Sequence, residues 1–151
     1  LEIWTEHYGL ERKLRVALKP HIAGSELLEL MVLDDAGAKL ANVVFAPIQD
    51  RHEHHLLSIR DQNTFSEDYR QKRLMTLISL FLIHRYKVDT VHYVTPTEDN
   101  QQQAKGMLGL GLYEDIQTEV GQIIVARVNA ERVKTLVTPD SEELRKLIAK
   151  S

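Results

Sequence analysis

Ten consecutive residues, "LMTLISLFLI" from Leu74 to Ile83, constrain this 151-residue chain more than any other stretch. Apolar side chains at Leu74, Leu77, Ile78, Phe81 and Leu82 follow the three-and-four spacing of a helix face turned toward a core. Met75, Leu80 and Ile83 widen that face, which predicts a deeply packed helix. The run is about half the length of a membrane span and has charge on both flanks. It therefore belongs inside a globular domain and has to be covered by other elements of the same fold.

The neighbouring segments supply those elements. "LRVALKP" reads as a short strand stopped by Pro20. "ELLELMVL", "DDAG" and "AKLANVVFAPI" read as a hairpin, with Asp35 and Gly37 supplying turn chemistry. Both alternating faces of "LLELMVL" are mostly apolar, so that strand is expected to be covered on both sides. "LLSIRDQ" is the next strand, and the charged approach "NTFSEDYRQK" leads into the Leu74 helix. After it come a strand in "VDTVHYVTP", a capped helix in "TEDNQQQAKGMLGLGL" broken by Gly109 and Gly111, and a strand in "QIIVARV". Two helical segments follow, "NAERVKTLV" with Asn129 as cap and "PDSEELRKLIAK" with a capping-box spacing from Asp140 to Glu143. The order predicts an α/β fold, its mixed sheet antiparallel early with parallel crossovers later.

Composition narrows the function classes. Hydrophobic residues are 43% and charged residues 27% of the chain, and net charge is −3. Bulk electrostatics give no reason to expect nucleic acid or an anionic membrane as partner. The absence of cysteine removes disulfides and thiolate chemistry.

A cluster of cations, Arg70, Lys72 and Arg73, stands where the Leu74 helix begins. Helix starts of this kind bind phosphate when backbone N–H groups are exposed by glycine. This stretch has no glycine, so any anion would be held by the side chains, and Glu67 and Asp68 oppose it. The residues alone leave two readings, an anion site and an ordinary solvated helix start.

The order of strand, basic turn, long helix, strand and Asn-bearing helix resembles the acyl-CoA N-acyltransferase (GNAT) superfamily. "DNQQQAKGMLGLGLYED" is similar to the run that closes its core, with Leu110, Gly111 and Leu112 in the Leu-Gly-Phe place. A more specific resemblance lies in "IAGSE", "LANVVFAPIQDR", "RDQNTF", "KRLMTLI", "VHYVTPTEDN" and "TEVGQIIVA", which span most of residues 22 to 126. These resemble the C-terminal extension of long-form bacterial isocitrate lyases.

That resemblance implies a cytoplasmic regulatory domain that binds acetyl-CoA or propionyl-CoA and activates a lyase domain on the same chain. Mg²⁺ would serve only that lyase domain, whose cysteine-bearing signature is absent here. It divides the chain into a joint at 1–12, a GNAT-like domain at 13–128 and a helical extension at 129–151. The phosphate loop of the superfamily falls on Arg70, Gln71, Lys72, Arg73, Leu74 and Met75, with both glycine places lost to Arg73 and Met75. The adenine and pantetheine arm would follow Leu57, Ser58, Ile59 and Arg60, facing Asn100 and Gln103. The proton-donating Tyr of the transferases falls on Met107, and Tyr113 is displaced from it, so binding without turnover is expected. Two rivals stand beside this reading: an active N-acetyltransferase using Tyr113 and a glutamate base, and a ligand-free oligomerisation module.

Other features have plainer readings. His52, His54 and His55 in "RHEHH" are expected to be a solvated turn and not a metal site. His84 and His92 lie within apolar periodicity and are expected in the core. Leu144, Leu147 and Ile148 are the first candidates for a self-association contact, and Trp4 and Tyr8 for packing or a joint. The chain opens on Leu1 within "LEIWTEHYG", which reads as a piece of a longer polypeptide.

Overall fold

The computed structural model describes residues 15–20, 26–34, 36–49, 51–65, 74–94, 96–119 and 122–137. In chain order they form β1 (Arg15–Pro20), β2 (Leu28–Leu33), β3 (Lys39–Gln49), β4 (His55–Thr64), α1 (Leu74–Tyr86), β5 (Thr90–Tyr93), α2 (Glu98–Gly109), β6 (Tyr113–Thr118), β7 (Ile124–Val128) and α3 (Ala130–Leu136). The strands make one sheet in the order β1-β2-β3-β4-β5-β7-β6. Every adjacent pair is antiparallel except β4 and β5, which run parallel with α1 as their crossover.

The core grows from cross-strand neighbours on one sheet face. Leu30 lies opposite Val43, Phe45 opposite Ile59, and Leu57 opposite Val91. All six are buried in one cluster with Leu74, Leu77, Ile78, Leu80 and Leu82 of α1. Leu80 and Leu82 are fully buried, and the polar Thr76 and Ser79 on the remaining side are buried as well. The deeply packed helix read from the sequence is present, although Phe81 and Met75 are only partly covered. Val133 and Leu136 of α3 enter the same core.

Strand β2 is buried on its core face and partly covered on the other, where Met31 and Leu33 are half-buried. Leu30 and Val32 face the core, and Glu29 on the other face is 6% exposed. Its carboxylate accepts hydrogen bonds from Asn42 Nδ2 at 2.9 Å and Lys39 Nζ at 3.2 Å. A buried carboxylate demands such donors. In the β2–β3 turn the working side chain is Asp34. Its Oδ1 accepts from the N–H groups of Ala36 and Ala38, and Gly37 takes φ +85°. Asp35 lies outside the described residues.

Two sequence expectations are corrected. Only one strand pair is parallel, because a strand that the periodicity did not reveal, β6, intervenes and returns β7 antiparallel to β5. Its sequence, YEDIQT, has few apolar residues because it is an edge strand, where charge discourages further pairing. His84 is exposed on the last turn of α1, where a basic group beside the terminal carbonyls is favourable. His92 is partly buried.

Candidate functional site: the cleft where β4 and β5 part

β4 and β5 stay paired only from Leu56–Thr90 to Ile59–Tyr93. One further bond, Val94 N–H to the Ile59 carbonyl at 3.0 Å, closes the ladder. The chain of β5 then turns into α2, whose first turn is capped by Thr97 Oγ1 accepting from the Asn100 N–H at 3.2 Å. β4 runs on along β3 to Thr64, past the end of its ladder with β5. A bulge helps it diverge. Val44 pairs with Asp61 but Phe45 with Ile59, so Arg60 is the extra residue and the strand end is re-aimed.

The parting opens a cleft of about 930 Å³. Gln62, Asn63 and Thr64 of β4 form one wall, Met75 and Thr76 of the first α1 turn the base, and Thr97, Asp99, Asn100, Gln102, Gln103 and Gly106 the other wall. Gly109 and Leu110 complete it. Asp99 is the one charged lining group among the described residues, so this part of the cleft suits neutral hydrogen-bonding groups.

Behind the cleft lies a buried polar relay. The hydroxyls of Tyr113 and Tyr93 hydrogen-bond each other, and Tyr93 donates to Gln103 Oε1 at 3.0 Å. Gln103 Nε2 donates to Ser79 Oγ at 3.3 Å, which ties α2 to α1. Gln62 Nε2 approaches Gln103 Oε1 at 3.4 Å. Burial pushes both tyrosine pKa values above their ordinary position. For Tyr93 the neighbouring Tyr113 adds to the rise, while for Tyr113 the hydrogen bond with Tyr93 offsets part of it.

The far end of α2 is fixed by its glycine. Gly111 at φ +78° makes a Schellman cap, with Gly111 N–H to the Leu108 carbonyl and Leu112 N–H to the Met107 carbonyl, both 3.0 Å. Leu112 and Met107 are both fully buried there. Asn129 then locks α3 to this cap, donating to the Gly111 carbonyl at 3.0 Å and accepting from Arg132 N–H at 3.2 Å.

Of the residues singled out from sequence, Asn100 and Gln103 meet in the cleft. Ser58 and Ile59 sit within the β4–β5 ladder, buried, and Arg60 is exposed at the bulge; none of the three lines the cleft. Arg70, Gln71, Lys72 and Arg73 lie outside the described residues, as do Trp4, Tyr8, Leu144, Leu147 and Ile148. Met107 is buried in the core, and Tyr113 lines no part of the cleft. The His52 and His54 rings stand 6.1 Å apart on the exposed β3–β4 turn, and no metal-ligand cluster occurs among the described residues. Sequence reasoning missed Gln62, Asn63 and Thr64 as site residues. Gln62 fell within the strand read as LLSIRDQ without being marked as a site residue, and Asn63 and Thr64 fell in the polar approach NTFSEDYRQK although they are strand.

A mixed sheet with a single parallel pair that parts over a cleft, and helices packed on it, defines a GNAT-like domain. The solved structure of AtaTR bound with AcCoA shares the fold, with a TM-score of 0.52 at 6% identity over 75% of this chain and 73% of that one. The chain is homologous to a segment of the mycobacterial isocitrate lyase 2 polypeptides. It is 55% identical over 150 residues both to "Isocitrate lyase 2" of Mycobacterium tuberculosis strain Erdman and to "Isocitrate lyase 2" of Mycobacterium bovis. Each match covers 99% of this chain but 20% of the relative, and a shorter relative from Mycobacterium tuberculosis strain H37Rv is covered to 38%. The chain therefore spans well under half the length of these relatives. No known family profile matches it. Among the described residues no helix is long and apolar enough to cross a membrane.

Proposed function

We propose that this chain is a C-terminal regulatory domain of a cytoplasmic isocitrate lyase, and that acetyl-CoA or propionyl-CoA bound in the β4–β5 cleft activates the lyase allosterically. The carrying observation is the β4 edge from Arg60 to Asn63, past the end of the β4–β5 ladder, beside a cleft of about 930 Å³. An acyl-CoA presents a long arm with two amides, which suits a strand edge. A fold neighbour solved with AcCoA supports the ligand class, and the isocitrate lyase 2 relatives support the parent enzyme.

In this reading Asn100 and Gln103 contact the arm, and Ser58, Ile59 and Arg60 support the β4 side. Arg70, Gln71, Lys72 and Arg73, next in sequence to the cleft's Met75 and Thr76, hold the phosphates through their side chains. No acyl transfer follows, because neither Met107 nor Tyr113 offers a proton donor in the cleft. The ligand acts by linkage: it shifts the enzyme only by its differential affinity for two arrangements of the whole chain. Self-association of the domain provides one route by which those arrangements differ.

Calorimetric titration with acetyl-CoA and with CoA tests the binding half. Micromolar binding is expected, weakened by charge reversal at Arg70, Lys72 and Arg73 in a folded variant. Absence of binding by the full-length protein refutes it. Isocitrate cleavage by the full-length protein, with and without acetyl-CoA, tests the regulatory half, which an unchanged rate would remove.

A further inference from the structure

The relay behind the cleft has a direction, and the direction exposes one unpaired atom. Tyr113 is 2% exposed and its hydroxyl has Tyr93 as its one hydrogen-bond partner among the described residues. A buried O–H without an acceptor is costly, so Tyr113 must donate to Tyr93. Tyr93 then spends its own proton on Gln103 Oε1. With that oxygen committed as acceptor, Gln62 can meet it only through its N–H end, at 3.4 Å. Gln62 Oε1 is turned away, and it is the one buried side-chain polar atom among the described residues that lacks a partner. Gln62 is 4% exposed and lines the cleft.

We propose that Gln62 is a ligand-reading residue: the Tyr113–Tyr93–Gln103 relay engages its N–H end and leaves its buried Oε1 without a partner, and that oxygen accepts a hydrogen bond from an N–H of the neutral arm of the bound ligand. The inference rests on the acyl-CoA reading above and names the donor, an amide N–H of the pantetheine arm. Cleft chemistry agrees with a neutral donor. Thr64, Thr76 and Asn100 line the same cleft, and no cation among the described residues lines it to attract phosphate. A ligand that carries only the nucleotide end gains nothing from Gln62.

The test compares two ligands on the full-length protein. Acetyl-CoA and 3′,5′-ADP, which lacks the arm, are titrated into wild type, Gln62→Met and Gln62→Leu, each checked for a native melting transition. Removing the acceptor strands the ligand's N–H, so acetyl-CoA is expected to bind about ten-fold more weakly to both variants. Binding of 3′,5′-ADP should stay within about two-fold of wild type on the same argument. Unchanged acetyl-CoA affinity in a folded variant overturns the role of Gln62 while leaving the acyl-CoA reading intact. Equal losses for both ligands also overturn it, since Gln62 would then act on the shape of the cleft. If wild type binds no acetyl-CoA, the acyl-CoA reading falls and this inference falls with it.

Discussion

The buried relay predicts that two chemically identical substitutions have unequal cost and that one changes sign. Tyr93→Phe removes the donor to Gln103 Oε1 and the acceptor of Tyr113 together. Two hydrogen bonds are lost, and the Tyr113 hydroxyl is stranded in a site that is 2% exposed. One bond is worth about 1 kcal/mol and an orphaned buried donor costs about 1–3, so the total is about 3–5 kcal/mol. Tyr113→Phe removes one bond and strands no donor, because Tyr93 keeps its proton on Gln103; about 1 kcal/mol is expected. In the Tyr93→Phe background the second substitution removes the stranded hydroxyl. There Tyr113→Phe should stabilise by about 1 kcal/mol or more, a coupling of about 2 kcal/mol. Urea unfolding of the four proteins measures all three values, with unchanged m-values as the check on two-state behaviour. Equal costs for the two single substitutions, or the same cost for Tyr113→Phe in both backgrounds, would refute the assigned direction.

Three further outcomes follow from the same structure. Lys87 occupies the left-handed position after α1, at φ 52°, where Lys87 N–H meets the His84 carbonyl and Val88 N–H the Ile83 carbonyl. Lys87→Gly should therefore raise unfolding free energy by about 0.5–1 kcal/mol, and a loss in urea unfolding would contradict the strain argument. Both relay tyrosines are pushed above the ordinary value of 10.0 on folding, so the unfolded chain releases these protons first as pH rises. Their contribution is complete below about pH 10 and declines above it. Replacing both by Phe should flatten the alkaline fall in melting temperature, and an equally steep fall would count against it. Asn129→Ala loses both the α3 cap and the tie to Gly111, so about 1–2 kcal/mol is expected by thermal or urea melting.

The sequence made the fold legible wherever burial imposed a period. The Leu74–Ile83 run could satisfy its apolar residues only as a covered helix between strands, and α1 occupies that place. Thr97 and Asn129 announced their helices because short polar side chains cap exposed N–H groups. β6 and the last two residues of β4, Asn63 and Thr64, were not legible. Both are strands whose side chains are largely polar, so no hydrophobic period marks them.

The sequence by itself determined the order of the apolar elements, the polarity of the cleft-lining residues and the absence of glycine from Arg70 to Met75, since each is a property of residues in a row. Tertiary structure decided where β4 and β5 part and that Tyr93, Tyr113, Gln103, Ser79 and Gln62 meet. Those five side chains come from β5, β6, α2, α1 and β4. Which atom of Gln62 is left without a partner follows from a proton direction set at Tyr113, on another strand. Hydrogen-bond direction is a property of a closed network, and a linear sequence does not contain the network until the chain has folded.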